Sequence, residues 1–153
     1  MESMFNNLAV GLGAVLALEP CTFFGLSMML PTNVGYCLLG TLIGTLIGVL
    51  PGLGPVATIA MLLPATFTLP PLGGLIMIAG IYYGAQYGGS TTAILVNLPG
   101  ETSSVVTCID GYQMARRGRA GVALATCAIG SFFAGCVGTA LLAAFAPLLA
   151  EMD

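Results

Sequence analysis

Between Glu19 and Glu101 the chain runs for 81 residues, 20–100, without one charged side chain or histidine. A second such run, Ala120 to Ala150, is 31 residues long. A soluble domain of ordinary composition has roughly a quarter of its residues charged, which keeps its surface wetted and dispersed. Here 6% of 153 residues are charged, 58% are hydrophobic and the mean hydropathy is +1.03. A soluble enzyme and a disordered chain are excluded. So is a nucleic-acid binder, because three Arg and no Lys make no basic footprint. The chain reads as an all-α polytopic integral membrane protein with broken or re-entrant helices, in contact with the lipid bilayer.

The same composition limits chemistry. Without His or Lys there is no imidazole base, Schiff-base amine or His metal ligand. Cys21, Cys37, Cys108, Cys127 and Cys136 form no C-x-x-C pair, and an odd count does not make a fully paired disulfide framework. They read as small hydrophobes. An intramembrane enzyme needs an acid–base pair or metal ligands within its spans, and the titratable groups there are Cys and Tyr. The expectation is a protein that is not an enzyme, with no metal beyond a transported cation.

Along the chain, Met1 to Asn7 lacks the positive start of a cleaved secretory signal. Leu8 to Leu18 is too short to cross ~30 Å of hydrocarbon at ~1.5 Å per residue. It is either an interfacial helix or the first part of a broken span continuing through Phe23 to Leu30. Pro31-Thr32-Asn33 is a turn signal. Val34 to Leu50 predicts a transmembrane helix. Val56 to Leu69, with Pro64 inside, predicts a half-helix or re-entrant piece. Leu72 to Leu98 is long for one span and predicts a helix broken at Gly88-Gly89. Residues 100–120 form the hydrophilic connection, read as a solvated loop. Because it holds Arg116, Arg117 and Arg119, the positive-inside rule puts it in the cytoplasm. Val122 to Leu149 is the last span, with Glu151–Asp153 on the far side. Residues 1–33 are thus an N-terminal helix and connection, and 34–153 the transmembrane repeat.

Glycine adds a pattern. Gly40, Gly44, Gly48 and Gly52 recur every four residues, as do Gly80, Gly84 and Gly88. Each set lies on one helix face and suits close helix packing. The first set runs into Pro51-Gly52-Leu53-Gly54-Pro55, which cannot continue a helix. Pro55 suits the first position of a new helix. The free N–H groups of Val56, Ala57 and Thr58 would then make an anion site of backbone alone. The alternative is a tight turn outside the membrane. The second set runs into Gly88-Gly89-Ser90-Thr91-Thr92, with Ser90 as N-cap. Asn97-Leu98-Pro99-Gly100 closes that segment. Hydroxyls, the Asn97 amide and freed carbonyls are hard oxygens that bind Na⁺ or hydrogen-bond a carboxylate. The alternative is a small-residue packing seam with Tyr82, Tyr83 and Tyr87 at the interface belt.

Taken in order, these motifs resemble the large membrane subunit of the tripartite tricarboxylate transporters, the TctA family of permeases. The likeness is carried by Gly40-Thr41-Leu42-Ile43-Gly44, the Pro51–Pro55 break and Leu62-Leu63-Pro64. It continues through Gly80 to Ser90, Ala93 to Gly100, Asp110-Gly111-Tyr112 and Arg116 to Ala120. It covers about residues 34 to 150 and is to the N-terminal part of the family, since no second P-G-L-G-P follows. The stretch from Glu19 to Pro31 is longer than the family's usual connection before its first motif span. The resemblance implies one half of an inverted-repeat, secondary active symporter that takes up small carboxylates across a bacterial inner membrane. It implies cation coupling, a small membrane partner subunit and a periplasmic solute-binding protein.

On this reading Gly52, Leu53, Gly54, Gly89, Ser90, Thr91 and Asn97 contact the carboxylate or its coupling cation. Ser90, Thr91 and Asn97 are the candidates for Na⁺, and no other cofactor is expected. The rival readings are a truncated non-transporting scaffold subunit and a channel with a neutral lining.

Overall fold

The computed structural model describes residues 2–16, 21–23, 26–28 and 32–150. Helix α1 is Glu2–Leu16, and a short antiparallel hairpin follows, β1 (Cys21–Phe23) paired with β2 (Leu26–Met28). The reading of a broken span continuing through Phe23 to Leu30 is therefore corrected. Strand pairing at 21–23 and 26–28 leaves no helix there, and the remainder of that stretch lies outside the described residues, as does Glu151–Asp153. The fold is otherwise helical: α2 (Thr32–Gly48), α3 (Pro55–Thr66), α4 (Pro71–Val96), α5 (Val105–Met114) and α6 (Ala120–Ala150).

The centre of the fold is the seam between α2 and α4. A methyl group added at Gly40, Gly44 or Gly48 would overlap the backbone carbonyl oxygens of Met77, Ile81 and Ala85 in turn. In return, one added at Gly80 or Gly88 would lie 2.6 Å from the carbonyl oxygens of Cys37 and Thr45, and one at Gly84 would overlap that of Thr41. Numbers rise together on both helices, so α2 and α4 are parallel. Both glycine sets thus serve one seam, in which each backbone lies in the groove the other leaves open. Thr41 and Thr45 donate their hydroxyls to Cys37 O and Thr41 O at 2.8 and 2.7 Å, which keeps the seam free of unpaired polar groups.

Parallel neighbours require a return crossing, and α3 supplies it. Its 12 residues cover about 18 Å. It starts at the Pro51–Pro55 break beyond the end of α2 and finishes where Thr66 O meets Gly74, near the start of α4. Pro55 is its first residue, as the sequence predicts, and Pro64 is carried inside it. The segment joins opposite ends of the α2–α4 pair, so it is a short return helix rather than a piece that dips and comes back.

Two expectations are corrected further along. Helix α4 is continuous through Gly88 and Gly89 over 26 residues, about 39 Å. Gly88 faces α2 at Thr45 and Gly48, Ser90 and Thr91 return their hydroxyls to the helix carbonyls of Gln86 and Tyr87, and Thr92 shares its one proton between Gly88 O at 3.1 Å and Val49 O at 2.8 Å. Small size here permits contact, and the hydroxyls are satisfied within the helix, so nothing breaks it. The hydrophilic connection, read as a loop, is mostly helical: a 3₁₀ turn at Thr102–Ser104, α5, and a π-helical turn at Ala115–Arg119. Gly118, at φ 76°, turns the chain between α5 and α6. Gly111 lets α5 lie against Ile94 of α4.

The distribution of side chains is inverted relative to a soluble fold. The buried positions include Gly40, Gly44, Gly48, Gly80, Gly84, Ala85, Ala93 and Thr58, with Ile81 and Ile94 the largest apolar ones fully enclosed. Leu38, Leu42 and Leu46 line the opposite side of α2, and Phe132, Phe133, Leu141, Leu142 and Phe145 project from α6 into the surroundings. Among the described residues one helical stretch, Thr102–Phe145, which takes in most of α6, is long and apolar enough to cross a membrane.

The seam generates a test. Gly84→Leu is expected to cost at least about 2 kcal/mol, because no rotamer change moves a facing backbone. Gly130→Leu, with open space around it, is expected to leave stability within about 0.5 kcal/mol. Unfolding of the purified protein in detergent checks both.

Candidate functional site

Beyond the end of α2, two chain breaks come together. The first is Pro51–Pro55. Leu53 N–H donates to Leu50 O at 3.2 Å, Gly52 takes φ 87°, and Gly54 sits extended as the N-cap of α3. The second follows α4. Asn97 ends the helix in the left-handed region at φ 61°, and Leu98, Pro99 and Gly100 then carry the chain back along the last turns of α4. Gly100 ends against Gly89, with its Cα 3.5 Å from where a methyl on Gly89 would lie. Gly48 O is 3.9 Å from the same point. Gly48, Gly89 and Gly100 therefore meet backbone to backbone, and it is Gly100 that admits no side chain, since a methyl there would lie 2.7 Å from Gly89 Cα, whereas one on Gly89 would make ordinary contacts.

This hook delivers Glu101 to the first break. A methyl on Gly54 would meet Glu101 Cβ at 3.6 Å and its Oε2 at 4.0 Å. A carboxylate thus stands at the N-terminus of α3, where the helix dipole favours negative charge. Glu101 is fixed by its own turn: its N–H donates to Ser104 Oγ at 3.2 Å, and Ser104 Oγ donates to Glu101 O at 2.9 Å. Ser103 donates its hydroxyl to Glu101 Oε1 and accepts from Gln86 Nε2 at 3.3 Å. Thr92 ties α4 to the end of α2 by donating to Val49 O at 2.8 Å.

Of the residues singled out in the sequence, Gly54 and Gly89 are brought together around Gly100 and Glu101. Leu53 is half-buried beside Gly54, while Gly52 is exposed in open space. Ser90 and Thr91 lie half-buried on α4 with their protons given to Gln86 O and Tyr87 O at 3.1 and 2.9 Å. Ser90 is therefore inside a helix and is not an N-cap. Asn97 is exposed at the end of α4. The expectation of three free N–H groups at α3 is corrected too. Thr58 N–H closes the first helical bond onto Gly54 O at 3.1 Å, which leaves Val56 and Ala57. Glu101, Ser103 and Ser104 were missed as site residues because their charge and polarity fit a solvated loop equally well. A Ser three residues after Glu101, closing a capping box of its own kind, was the available signal.

An apolar exterior, backbone-packed parallel helices and two facing chain breaks are the features that a comparison with known families has to account for. The family described as "Tripartite tricarboxylate transporter TctA family" matches residues 34–153. The chain belongs to that family. A curated relative from Agrobacterium vitis, an uncharacterised 52.8 kDa protein described by its place in the TAR-I ttuC' 3' region, is 61% identical over 152 residues. The match takes in 99% of this chain and 28% of the relative's length. No solved structure matches.

Asn97 separates backbone from side-chain demands. Asn97→Gly keeps the left-handed conformation and is expected to change stability by only a few tenths of a kcal/mol, whereas Asn97→Val is expected to cost about 1–3 kcal/mol. Thermal unfolding of the two variants side by side measures the difference.

Proposed function

We propose that the chain is the part of a tricarboxylate permease that builds one side of its solute path. The permease is a multi-pass component of a secondary active, cation-coupled uptake system in a bacterial inner membrane. It works with a small membrane subunit and a periplasmic solute-binding protein. The observation that carries this reading is the meeting of the two breaks, Pro51–Pro55 and Asn97–Glu101, beside a helix N-terminus in a membrane-transporter family. Unwound backbone of this kind is tolerated at membrane depth where it is buried in protein or lines a cavity. The exposed leucines and phenylalanines of α2 and α6 support a lipid surround. The arginines at the π-helical turn are exposed, and the positive-inside rule assigns them to the cytoplasm.

The substrate is a small carboxylate. The residues Gly52, Leu53, Gly54, Gly89, Ser90, Thr91 and Asn97 contact the carboxylate or its coupling cation: the amides of Gly52 and Gly54 and the Asn97 side chain donate to anionic groups, whereas Leu53 N–H and the Ser90 and Thr91 protons are already given to backbone carbonyls, which leaves those residues oxygens to offer. Glu101 modifies this picture, since it already occupies the approach to the α3 N-terminus. Anionic substrate comes close only when that charge is offset.

The test is uptake of labelled citrate and other small carboxylates by the intact permease with its partner subunits, with and without a Na⁺ gradient. Saturable, gradient-driven uptake is expected. Ser90→Ala and Asn97→Gly are each expected to lower it several-fold without loss of folded protein. Unchanged uptake and Na⁺ dependence in both variants removes the residue assignment. Non-saturable flux favours a channel, and no flux for any carboxylate removes the transport reading.

A further inference from the structure

From Thr41 to Thr92 every serine and threonine hydroxyl gives its proton to a backbone carbonyl. Thr126 and Thr139 do the same on α6. Tyr83 of α4 and Ser131 of α6 do not. Both are exposed, and neither has a hydrogen-bond partner among the described residues. Both line one cleft of about 490 Å³ between α4 and α6, with Phe132, Gly135 and Thr139.

The depth of that cleft is set by the helices that form it. Tyr83 Cε1 lies 3.8 Å from where a methyl on Gly135 would be. Gly135 is the midpoint of α6, about 22 Å from each end, and Tyr83 is about 18–20 Å from either end of α4. With ~30 Å of hydrocarbon, an α6 that crosses the bilayer holds this contact near the mid-plane. A phenol there is too deep to reach either headgroup belt, so the interface-belt reading does not hold for Tyr83. Left facing hydrocarbon, its proton and that of Ser131 have no acceptor, which is costly.

We infer that the α4–α6 cleft is part of the solute path at mid-depth, where Tyr83 and Ser131 donate to carboxylate oxygens of the transported anion. An ionised carboxylate only accepts, and hydrogen bonds to it are roughly twice as strong as neutral ones. An acyl chain in the cleft offers no acceptor, and a neighbouring helix offers mainly carbonyls committed to its own ladder. The cleft volume is within the roughly 300–1,000 Å³ of small-molecule sites. Tyr82 packs edge-on against Tyr83 with ring centroids 6.0 Å apart, which steadies the phenol. The polar face then continues to the hook, since Gln86, one turn further along α4, donates to Ser103. The inference rests on the transport reading and adds a second contact region to it, but wetting of the cleft is measured without transport.

The experiment uses the intact permease with its partner subunits in vesicles, every native cysteine replaced by alanine. Tyr83→Cys and Ser131→Cys are treated with the anionic, membrane-impermeant reagent 2-sulfonatoethyl methanethiosulfonate. Each is expected to react at least about tenfold faster than Leu42→Cys on the outer side of α2, because only a wetted thiol ionises. Citrate is expected to slow both reactions several-fold. In the native-cysteine protein, Tyr83→Phe and Ser131→Ala are each expected to raise the half-saturating citrate concentration for uptake about tenfold, with the amount of folded protein unchanged. Tyr83→Phe keeps the ring against Gly135 and carries the test if Tyr83→Cys does not fold. Labelling no faster than at Leu42→Cys means lipid or a packed helix fills the cleft and overturns the inference. Unaltered citrate dependence in both hydroxyl-deleting variants overturns it too. Uptake by the wild type without labelling leaves transport intact and this site wrong. Citrate-protected labelling without uptake leaves the site intact and the transport reading wrong.

Discussion

The backbones of α2 and α4 touch along three helical turns, and the rest of the architecture answers to that contact. In lipid, burying apolar surface between helices gains little, because the hydrocarbon outside is as apolar as the side chains. What remains is close packing, and six glycines allow each helix to rest on the carbonyls of the other. Thr41 and Thr45 sit at this seam without cost because their hydroxyls return to their own helix. Large residues are displaced outward, which explains why Leu38, Leu42 and Leu46 are exposed on α2 while its glycines are buried.

The parallel sense of that pair determines the connections. A chain that has ascended α2 must descend before it ascends again, so α3 has to join the two ends, with the Pro51–Pro55 break as its turning point. Helix α4 outlasts α2 by about two turns, and the chain after Asn97 uses that overhang as a surface to run back along. The hook stops where Gly100 meets Gly89, and in stopping there it sets Glu101 beside Gly54. The carboxylate at the start of α3 is thus a consequence of helix length and backbone contact, two features remote from each other in sequence.

The same return sets a charge in an otherwise uncharged space. Over 81 residues the chain offers only dipoles and neutral oxygens. The first carboxylate after that run is the one the fold returns to its midst. A negative charge at a helix N-terminus is stable in itself.

Much of this was legible beforehand. The charge-free run, the helix over Val34 to Leu50, the stop at Pro51, the start at Pro55 and the four-residue glycine period all follow from side-chain hydropathy, the missing proline N–H and helical geometry. These are local properties, carried by each residue wherever it is placed. Gly88-Gly89 was the exception: glycine reads locally as a helix breaker, and here it is a contact surface for α2 and for Gly100. Whether a glycine breaks or packs depends on what lies opposite, and a residue 40 positions away lies outside any local window. Glu101 was hidden for the same reason, since a charged residue between apolar spans is ordinarily solvated. By itself the sequence determined a helical membrane protein with a break at Pro51–Pro55. Only the tertiary structure decided that α2 and α4 run parallel, that α4 is unbroken and that Glu101 meets Gly54, because each is a matter of which distant backbones can approach without a side chain between them.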